Sequence, residues 1–350
     1  MISSIRLQDF RSYHNDAFEF EDSVNIVVGP NACGKTNLLE AILVLCRGSS
    51  YRAKDIELIS FDKPWARLEG TSDGHPRIVK LKQDKNPTKE FEIDGKKYLR
   101  LSASTRSPVV LFEPNHLQLL TGSPELRRNY LDDLLEQIVS GYSGVKRRYL
   151  RSLAQRNALL KTPGNNVKDI LFPWNIRISQ LAGQIVKYRS ELVDSLNEIL
   201  PSIYDDLAGS TTKVELVYKP QLPVKDYESH HLSSLDKSVE DDLRSGFTSY
   251  GPHRDDFNFI YNSHQANLSA SRGEMRTGVL ALKIAEIDII KKTINKNPVF
   301  LLDDVFSELD GHRRHALTQR LGGIQSFITT TDADIVINEL ASRCNVLALT

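Results

Sequence analysis

The chain has 350 residues, enough for one large domain or two ordinary ones, and 26% of them are charged. Its 45 basic and 45 acidic side chains cancel, so any affinity for nucleic acid must come from a local patch. Its three cysteines do not suggest a disulfide framework or a zinc site. No apolar run approaches the roughly 20 residues that cross a bilayer, and we expect a cytoplasmic protein without a membrane partner.

The first third of the chain reads as short strands around one apolar helix, predicted from Thr36 to Leu45. Asp94-Gly95, directly after the sixth of these strands, is a hairpin turn signal. The predicted strands are Ile2–Leu7, Ala17–Phe20, Val24–Val28, Ala66–Gly70, Ile78–Gln83, Glu90–Ile93 and Pro108–Phe112.

The segment between the third strand and the helix is Gly-Pro-Asn-Ala-Cys-Gly-Lys-Thr, which matches the phosphate-binding P-loop pattern G-x-x-x-x-G-K-[ST]. Glycines let successive backbone N–H groups turn toward a phosphate. Lys35 is expected to reach the β- and γ-phosphates of ATP, and the Thr36 hydroxyl to ligate Mg²⁺. The positions predicted to contact the nucleotide here are Gly29, Asn31, Gly34, Lys35, Thr36 and Asn37.

The middle of the chain has helical spacing of apolar residues. We predict one long helix over Glu125–Leu160, a polar break at Lys161–Asn166 and a second long helix over 174–200, which together form an αα-hairpin arm. Val214–Tyr218 reads as a strand. The polar stretch 221–238 is predicted to be a loop with one helical turn.

Alternation of strands and helices returns after Gly251. The predicted elements are strands 257–261, 298–303, 325–330 and 345–349 and helices 272–292 and 311–321. The strand at 298–303 ends in Asp303 and is followed by Asp304, the Walker B pattern of an ATPase. There the first acid steadies Mg²⁺ and the second polarises the attacking water, so Lys35, Asp303 and Asp304 are the predicted catalytic residues.

Two further loops resemble those of ABC-type ATPases. Ser307-Glu-Leu-Asp310, directly after Walker B, resembles the D-loop, which lies at a dimer interface. Ser271-Arg-Gly273 precedes a long helix and resembles a degenerate signature loop, which approaches the γ-phosphate bound by the other subunit. An ordinary serine helix cap is the simpler alternative for Ser271. The predicted interface residues are Ser271, Ser307 and Asp310, with Ser271 and Gly273 also near nucleotide.

These motifs predict an α/β fold: an ABC-type P-loop ATPase head assembled from both chain ends, with an inserted helical lobe. We expect the head to comprise residues 1–112 and 246–350 and the mainly helical lobe to comprise 113–245. A transporter-type ATPase subunit and a P-loop small-molecule kinase are the alternatives. The long insertion disfavours the first, and the D-loop pattern disfavours the second.

The chain resembles the RecF family of bacterial DNA replication and recombination-repair ATPases over essentially its whole length. The stretches that carry the resemblance are Leu7–Tyr13, Asn25–Ile42, Gly122–Asp132, Tyr250–Asp256, Ser271–Thr277 and Leu301–Asp310. The resemblance implies an ATP-dependent homodimer with slow hydrolysis, active in the repair of DNA damage in the nucleoid. It also implies binding to duplex DNA and to single-strand/double-strand junctions, with RecR, RecO and RecA as partners, and a nucleotide contact by Arg11.

Clusters of basic residues are candidates for contact with a DNA backbone, although a charged run on a helix is usually a solvated face. His253 and Arg254 are candidates for a dimer or nucleotide surface, or for a capping turn. The candidate DNA-binding residues are Arg52, Lys54, Arg127, Arg128, Lys146, Arg147 and Arg148.

Overall fold

A computed structural model describes residues 1–83, 87–162, 164, 166–331 and 344–349. Within these ranges the strands are β1 (Ile2–Phe10), β2 (Tyr13–Glu19), β3 (Val24–Val28), β4 (Trp65–Ser72), β5 (His75–Lys82), β6 (Thr88–Ile93), β7 (Lys96–Tyr98), β8 (Val109–Phe112), β9 (Val214–Lys219), β10 (Asp256–Tyr261), β11 (His264–Gln265), β12 (Val299–Leu302), β13 (Ser326–Thr330) and β14 (Cys344–Ala348). The helices are α1 (Lys35–Arg47), α2 (Gln118–Thr121), α3 (Pro124–Ile138), α4 (Tyr142–Lys161), α5 (Val167–Ala208), α6 (Tyr227–Lys237), α7 (Val239–Ser245), α8 (Ala266–Ser269), α9 (Arg272–Ile294) and α10 (Gly311–Arg320).

The chain divides into two compact units. The first contains the described residues of Met1–His116, Asp206–Gly209 and Lys283–Thr350, and the second contains Leu117–Asp205 and Ser210–Leu282. Residues 246–282, which the sequence analysis placed in the ATP-binding head, belong to the second compact unit. Their assignment to the head as a functional domain stays a prediction.

The first unit has two sheets with α1 packed against both. One sheet is antiparallel, in the order β2-β1-β4-β5-β6-β7, and the other is parallel, in the order β14-β3-β13-β12-β8. Parallel strands covered on both faces read as continuous apolar runs, and β8 and β12 are buried throughout. The register pairs Leu302 with Phe112 and Thr330 with Val28, so the carboxyl ends of four strands meet at one edge.

Helix α1 owes its position to its two ends and its apolar middle. It begins after Gly34, at a φ of 108°, and stops at Gly48, at a φ of 84°, because glycine adopts these left-handed conformations without strain. All residues from Leu38 to Cys46 are buried, since the helix faces a sheet on either side. The N-terminus of α1 therefore lies at the edge where the parallel strands end.

The second unit combines helices with the antiparallel sheet β11-β10-β9. Helices α4 and α5 run antiparallel: the Tyr142 and Tyr188 rings lie 5.8 Å apart, and Arg156 Nε donates to Asn175 Oδ1 at 2.8 Å. None of the helices within the described ranges has an apolar stretch long enough to cross a bilayer.

Several sequence predictions in the second unit are wrong. The helix predicted over Glu125–Leu160 is divided into α3 and α4, because Gly141 adopts a φ of 87°. The loop predicted over 221–238 is largely helix α6, which buries Tyr227, His231 and Leu235 at intervals of four residues.

The helix predicted over 174–200 extends over Val167–Ala208 and contains both Pro173 and Pro201. Proline usually ends a helix, yet the buried face continues past both positions, from Leu171 to Leu207. The predicted break at Lys161–Asn166 falls partly on positions 163 and 165, which lie outside the described residues.

Candidate functional site

The P-loop between β3 and α1 is held in shape by close backbone contacts. A side chain at Gly29 would have its Cβ 2.6 Å from the carbonyl oxygen of Leu349, so only glycine fits there. Lys35 folds its amine over the loop, and Nζ donates to the carbonyl oxygens of Gly29 at 2.6 Å and Pro30 at 2.7 Å. The amine therefore lies at the loop itself, where it can exchange these carbonyls for the oxygens of a phosphate.

The predicted Walker B acid meets the P-loop. Asp303 directly follows β12, and both of its carboxylate oxygens lie 3.0 Å from the Thr36 hydroxyl at the start of α1. Thr329 on β13 donates its hydroxyl to Asp303 Oδ1 at 2.7 Å. The start of α1, the strand β13 and the end of β12 thus meet at one carboxylate, and Asp303 is only 8% exposed.

Asp304 has a strained backbone and an unsatisfied oxygen. Its φ is 48°, a region that residues with a side chain rarely adopt, and its backbone N–H donates to the Thr329 hydroxyl at 2.9 Å. Its buried Oδ1 has no hydrogen-bond partner among the described residues. A strained residue with an unused carboxylate oxygen is typical of a functional position.

These residues surround a cavity of about 220 Å³. It is lined by Asn31, Ala32, Gly34, Lys35, Thr36, Asn37, Asp303, Asp304, Thr329 and Thr331. Hydroxyl and carboxylate oxygens are ligands that Mg²⁺ prefers, and the unsatisfied oxygen of Asp304 adds a further acceptor. No cluster of three His, Cys, Asp or Glu side chains suited to a metal ion occurs in the described part of the chain. The donor set therefore fits Mg²⁺ bound jointly with phosphate oxygens and water.

A buried glutamate that sequence reasoning missed organises the basic residues beside the P-loop. Glu40 on α1 is fully buried and accepts from Arg11 Nε at 2.8 Å, Arg11 Nη2 at 3.0 Å, Arg52 Nη2 at 3.0 Å and Ser50 Oγ at 2.6 Å. Burial alone would raise the pKa of Glu40, but hydrogen bonds from these partners outweigh it and hold that pKa below its usual value. The sequence signal was a lone acid within an apolar helix.

The same contacts show that two predicted site residues, Arg11 and Arg52, already have partners inside the protein. Arg11 binds Glu40 and donates Nη1 to the Glu57 carbonyl at 2.8 Å, so its guanidinium is already engaged within the protein. Arg52, predicted to contact DNA, donates to Asn37 Oδ1 at 2.8 Å beside the P-loop. Lys54 is exposed. Contacts of Arg11 with nucleotide and of Arg52 and Lys54 with DNA stay predictions.

A second missed carboxyl lies next to Walker B in the sheet. Glu113 follows β8 as Asp303 follows β12, and Asp303 N–H donates to the Phe112 carbonyl at 2.9 Å. Burial, and then the nearby charge of Asp303, raise the pKa of Glu113. Sequence alone could not find it, because the neighbour of a strand is set by the sheet order.

The signature-like loop forms a reciprocal helix cap in the second unit. Glu274 N–H donates to Ser271 Oγ at 3.3 Å, and Ser271 N–H donates to Glu274 Oε2 at 2.6 Å. The space around Gly273 is open: a Cβ added at this residue would meet no described atom within 4 Å outside its own helix backbone. The local structure therefore fits both a plain cap and a loop whose N–H groups face a ligand.

The D-loop residues lie in the first unit. Ser307 and Asp310 are both exposed. Ser307 donates to the Asp304 carbonyl at 2.9 Å, and Asp310 caps α10 by accepting from Arg313 N–H at 2.9 Å. Exposure is required of an interface residue, so their predicted role stays open to test.

The basic candidates of the second unit differ in their availability. Arg127 is 12% exposed and pairs with Asp256, with Nε to Oδ1 at 2.5 Å. Lys146 lies 3.1 Å from Glu136 Oε1 and 3.4 Å from Asp132 Oδ2. Both cations are neutralised internally, whereas Arg147 and Arg148 are exposed on α4. All four stay predicted DNA contacts, and the structure favours the exposed pair.

Comparison of the sequence with known proteins identifies the family that the chain is similar to. Residues 1–346 match the model of the RecF/RecN/SMC N-terminal domain. The chain is 35% identical to the DNA replication and repair protein RecF of Bacillus cytotoxicus, over 99% of this chain and 96% of that protein.

Two solved structures of the recombination mediator protein RecF in the RecFOR pathway, with ATPrS and with ATP, are similar to the chain. Both are 30% identical to it, with TM-scores of 0.86 and 0.85, and they cover 96% and 95% of this chain and 94% and 92% of theirs.

Proposed function

The chain belongs to the RecF family, and from this membership we propose that it is an ATP-dependent DNA-binding protein of recombinational repair and replication. It is a weak ABC-type ATPase that uses ATP as a switch. The observation that carries the proposal is the meeting of Thr36, Asp303 and Thr329 at the mouth of the P-loop. That arrangement sets carboxylate and hydroxyl oxygens beside the phosphate-binding loop, as a bound Mg²⁺–triphosphate requires.

In this proposal ATP binds along the P-loop, with Lys35 on the β- and γ-phosphates. Thr36 and Asp303 would hold Mg²⁺, which supplies charge neutralisation for the phosphates when bound. A larger cavity of about 880 Å³ shares Asn37 with the phosphate region and offers room for the base and ribose. Its wall includes Arg11 and apolar side chains such as that of Phe61.

Asp304 is the proposed acceptor of the proton from the attacking water. Its unpartnered Oδ1 and its place after Asp303 support this role. The side chain of Asp304 is one methylene shorter than that of a glutamate at the same position, and the backbone of Asp304 is strained. Both features favour slow hydrolysis, as a switch requires.

A second copy completes the site. Ser271 at the start of α9 would donate to the γ-phosphate held by the partner copy, because N–H groups at a helix N-terminus bind anions. Ser307 and Asp310 would lie at the same interface. The dimer closes over duplex DNA near single-strand junctions, and RecR, RecO and RecA are the proposed partners, in line with the RecFOR pathway of the relatives.

Size-exclusion chromatography with light scattering tests this proposal. The wild-type chain should dimerise with ATP and Mg²⁺, whereas Lys35→Ala and Ser271→Arg should stay monomeric. Of the two variants, only Ser271→Arg should still bind a fluorescent ATP analogue. Ser229→Arg, at an exposed serine of α6, is the matched control and should dimerise normally. If both test variants dimerise like the wild type, the sandwich proposal is wrong.

A gel shift with gapped and duplex DNA, with and without ATP, tests the DNA-binding part separately. ATP-dependent retention of DNA is expected. Failure to retain any DNA would contradict the proposed repair function even if the ATPase site is intact.

A further inference from the structure

The turn Gly251–Asp256 is anchored inside the second unit. The Tyr149 hydroxyl donates to His253 Nδ1 at 2.6 Å, and His253 Nε2 donates to the Thr248 carbonyl at 3.1 Å. Asp255 is fully buried and accepts from the Tyr218 hydroxyl at 2.6 Å. Both neighbours of Arg254 are thus held by partly buried side-chain hydrogen bonds, which fix the position of the turn.

The side chain of Arg254 takes no part in this network. It is exposed, and its side chain has no hydrogen bond or ion pair with any residue that the structure describes. Its backbone N–H donates to the Gly251 carbonyl at 2.8 Å, so the position is fixed while the guanidinium is not used internally. The backbone is thus fixed, and the guanidinium is free to turn toward an external anion, with its planar fork losing less entropy per hydrogen bond than a flexible ammonium group does.

Two further cations lie beside this turn. Arg128 Nη1 donates to the carbonyl of Asp255 at 2.8 Å and forms no ion pair within the described ranges. Lys219 is exposed at the end of β9, where it is the cross-strand partner of Asp256. The nearby Asp256 is already paired with Arg127, so it does not neutralise Lys219 fully.

We propose that Arg254, Arg128 and Lys219 form a surface that binds the phosphodiester backbone of DNA. This inference rests on the proposed function and deepens it, since it names where DNA binds. The three residues come from a turn, a helix and a strand beside Asp255 and Asp256, since Arg128 contacts the carbonyl of Asp255 and Lys219 is the cross-strand partner of Asp256. Cations on three separate elements suit the successive phosphates of a polyanion better than one small anion. The guanidinium fork matches phosphate oxygens in pairs.

Salt dependence of DNA affinity provides the test, because each phosphate contact contributes about 0.9 to the slope of log K against log salt. Arg254→Ala should lower that slope by about 0.9 and weaken binding about eightfold at 0.1 M salt. Arg254→Ala with Lys219→Ala should lower it by about 1.8. Arg254→Lys should keep most of the slope, because it keeps the charge.

Fluorescence anisotropy with a labelled gapped duplex, from 50 to 300 mM salt and with ATP, measures the slope. Arg177→Ala, at an exposed arginine of α5, is the matched control and should leave it unchanged. Wild-type binding with an unaltered slope in the double variant would overturn the inference alone. Absence of wild-type binding would overturn the proposed function as well.

The surface around Arg254 could bind phosphate from DNA or from a nucleotide held by a second copy, and light scattering distinguishes these two ligands. Arg254→Ala should dimerise with ATP as the wild type does. If the variant fails to dimerise although it is folded by circular dichroism, the surface faces the partner's nucleotide and the DNA assignment is wrong.

Discussion

Replacing Glu40 with glutamine should destabilise the first unit and loosen the two arginines beside the P-loop. The carboxylate is fully buried and accepts four hydrogen bonds, three of them from guanidinium groups. Breaking a fully buried ion pair costs about 3–5 kcal/mol. The side chains of Arg11 and Arg52 are 23% and 36% exposed, so water replaces part of the loss. We expect Glu40→Gln to lower the free energy of unfolding by about 2 kcal/mol.

Urea unfolding followed by tryptophan fluorescence measures this loss for the first unit alone. The chain has two tryptophans, Trp65 in the first unit and Trp174 in the second, so Trp174→Phe leaves one reporter. A loss of about 2 kcal/mol moves the midpoint down by roughly 1 M urea. Glu19→Gln, at an exposed glutamate of β2, should leave the midpoint unchanged.

The pH dependence adds a second check on Glu40. Its folded pKa lies below its unfolded value, so its stabilising effect is present above about pH 4.5 and is lost as the pH falls through the folded pKa. The difference between wild type and Glu40→Gln should therefore shrink in acid. A midpoint equal to that of the Glu19→Gln control at pH 7 would refute the assigned role of the carboxylate.

Three other predictions concern catalysis in the first unit and buried charges in the second. Asp304→Asn should slow single-turnover ATP hydrolysis by about 100-fold with little change in ATP affinity, and undiminished hydrolysis would exclude Asp304 as the base. Burial lowers the pKa of His231 and of His253 to about 4, so protonation opposes folding, and stability of the second unit should fall from pH 6.5 downward by about 2 kcal/mol per histidine at pH 5. His253→Asn should remove about half of this acid sensitivity in urea titrations. If the variant loses as much stability between pH 6.5 and pH 5 as the wild type, the lowered pKa of His253 does not contribute. Asp132→Ala removes the partner of the buried Arg189 at 2.9 Å and leaves Asp255 at 3.8 Å, so it should cost about 3 kcal/mol in urea unfolding, whereas a loss below about 1 kcal/mol would show that Asp255 compensates the guanidinium.

The residues at the centre of the site could be predicted from the sequence alone. The P-loop and Walker B patterns each include a strand end, and strands of a parallel sheet present their carboxyl ends at one edge. Lys35, Thr36 and Asp303 could therefore be expected together, although 268 positions separate the first and last (303 − 35).

The surroundings of the site could not be read in the same way. Glu40 lies in an apolar helix, and Glu113 depends on β8 being the neighbour of β12, a sheet order that no local pattern specifies. Similarly, the spacing of apolar residues stays in phase across Gly141, so the end of α3 is visible only in the backbone angle. Local patterns predict elements and motifs, while tertiary neighbours decide which charges meet.

The parallel sheet has a consequence for how the protein is made. Its strands β3 and β8 come from the first 112 residues, whereas β12, β13 and β14 come from beyond residue 298. A ribosome adds about 5–20 residues per second, so roughly 13–54 s separate synthesis of Lys35 from that of Asp303. During this interval β3 lacks both of its neighbours in the sheet, β13 and β14, and is an exposed apolar edge that chaperones can bind. Truncated nascent chains should therefore be insoluble until the last strands emerge.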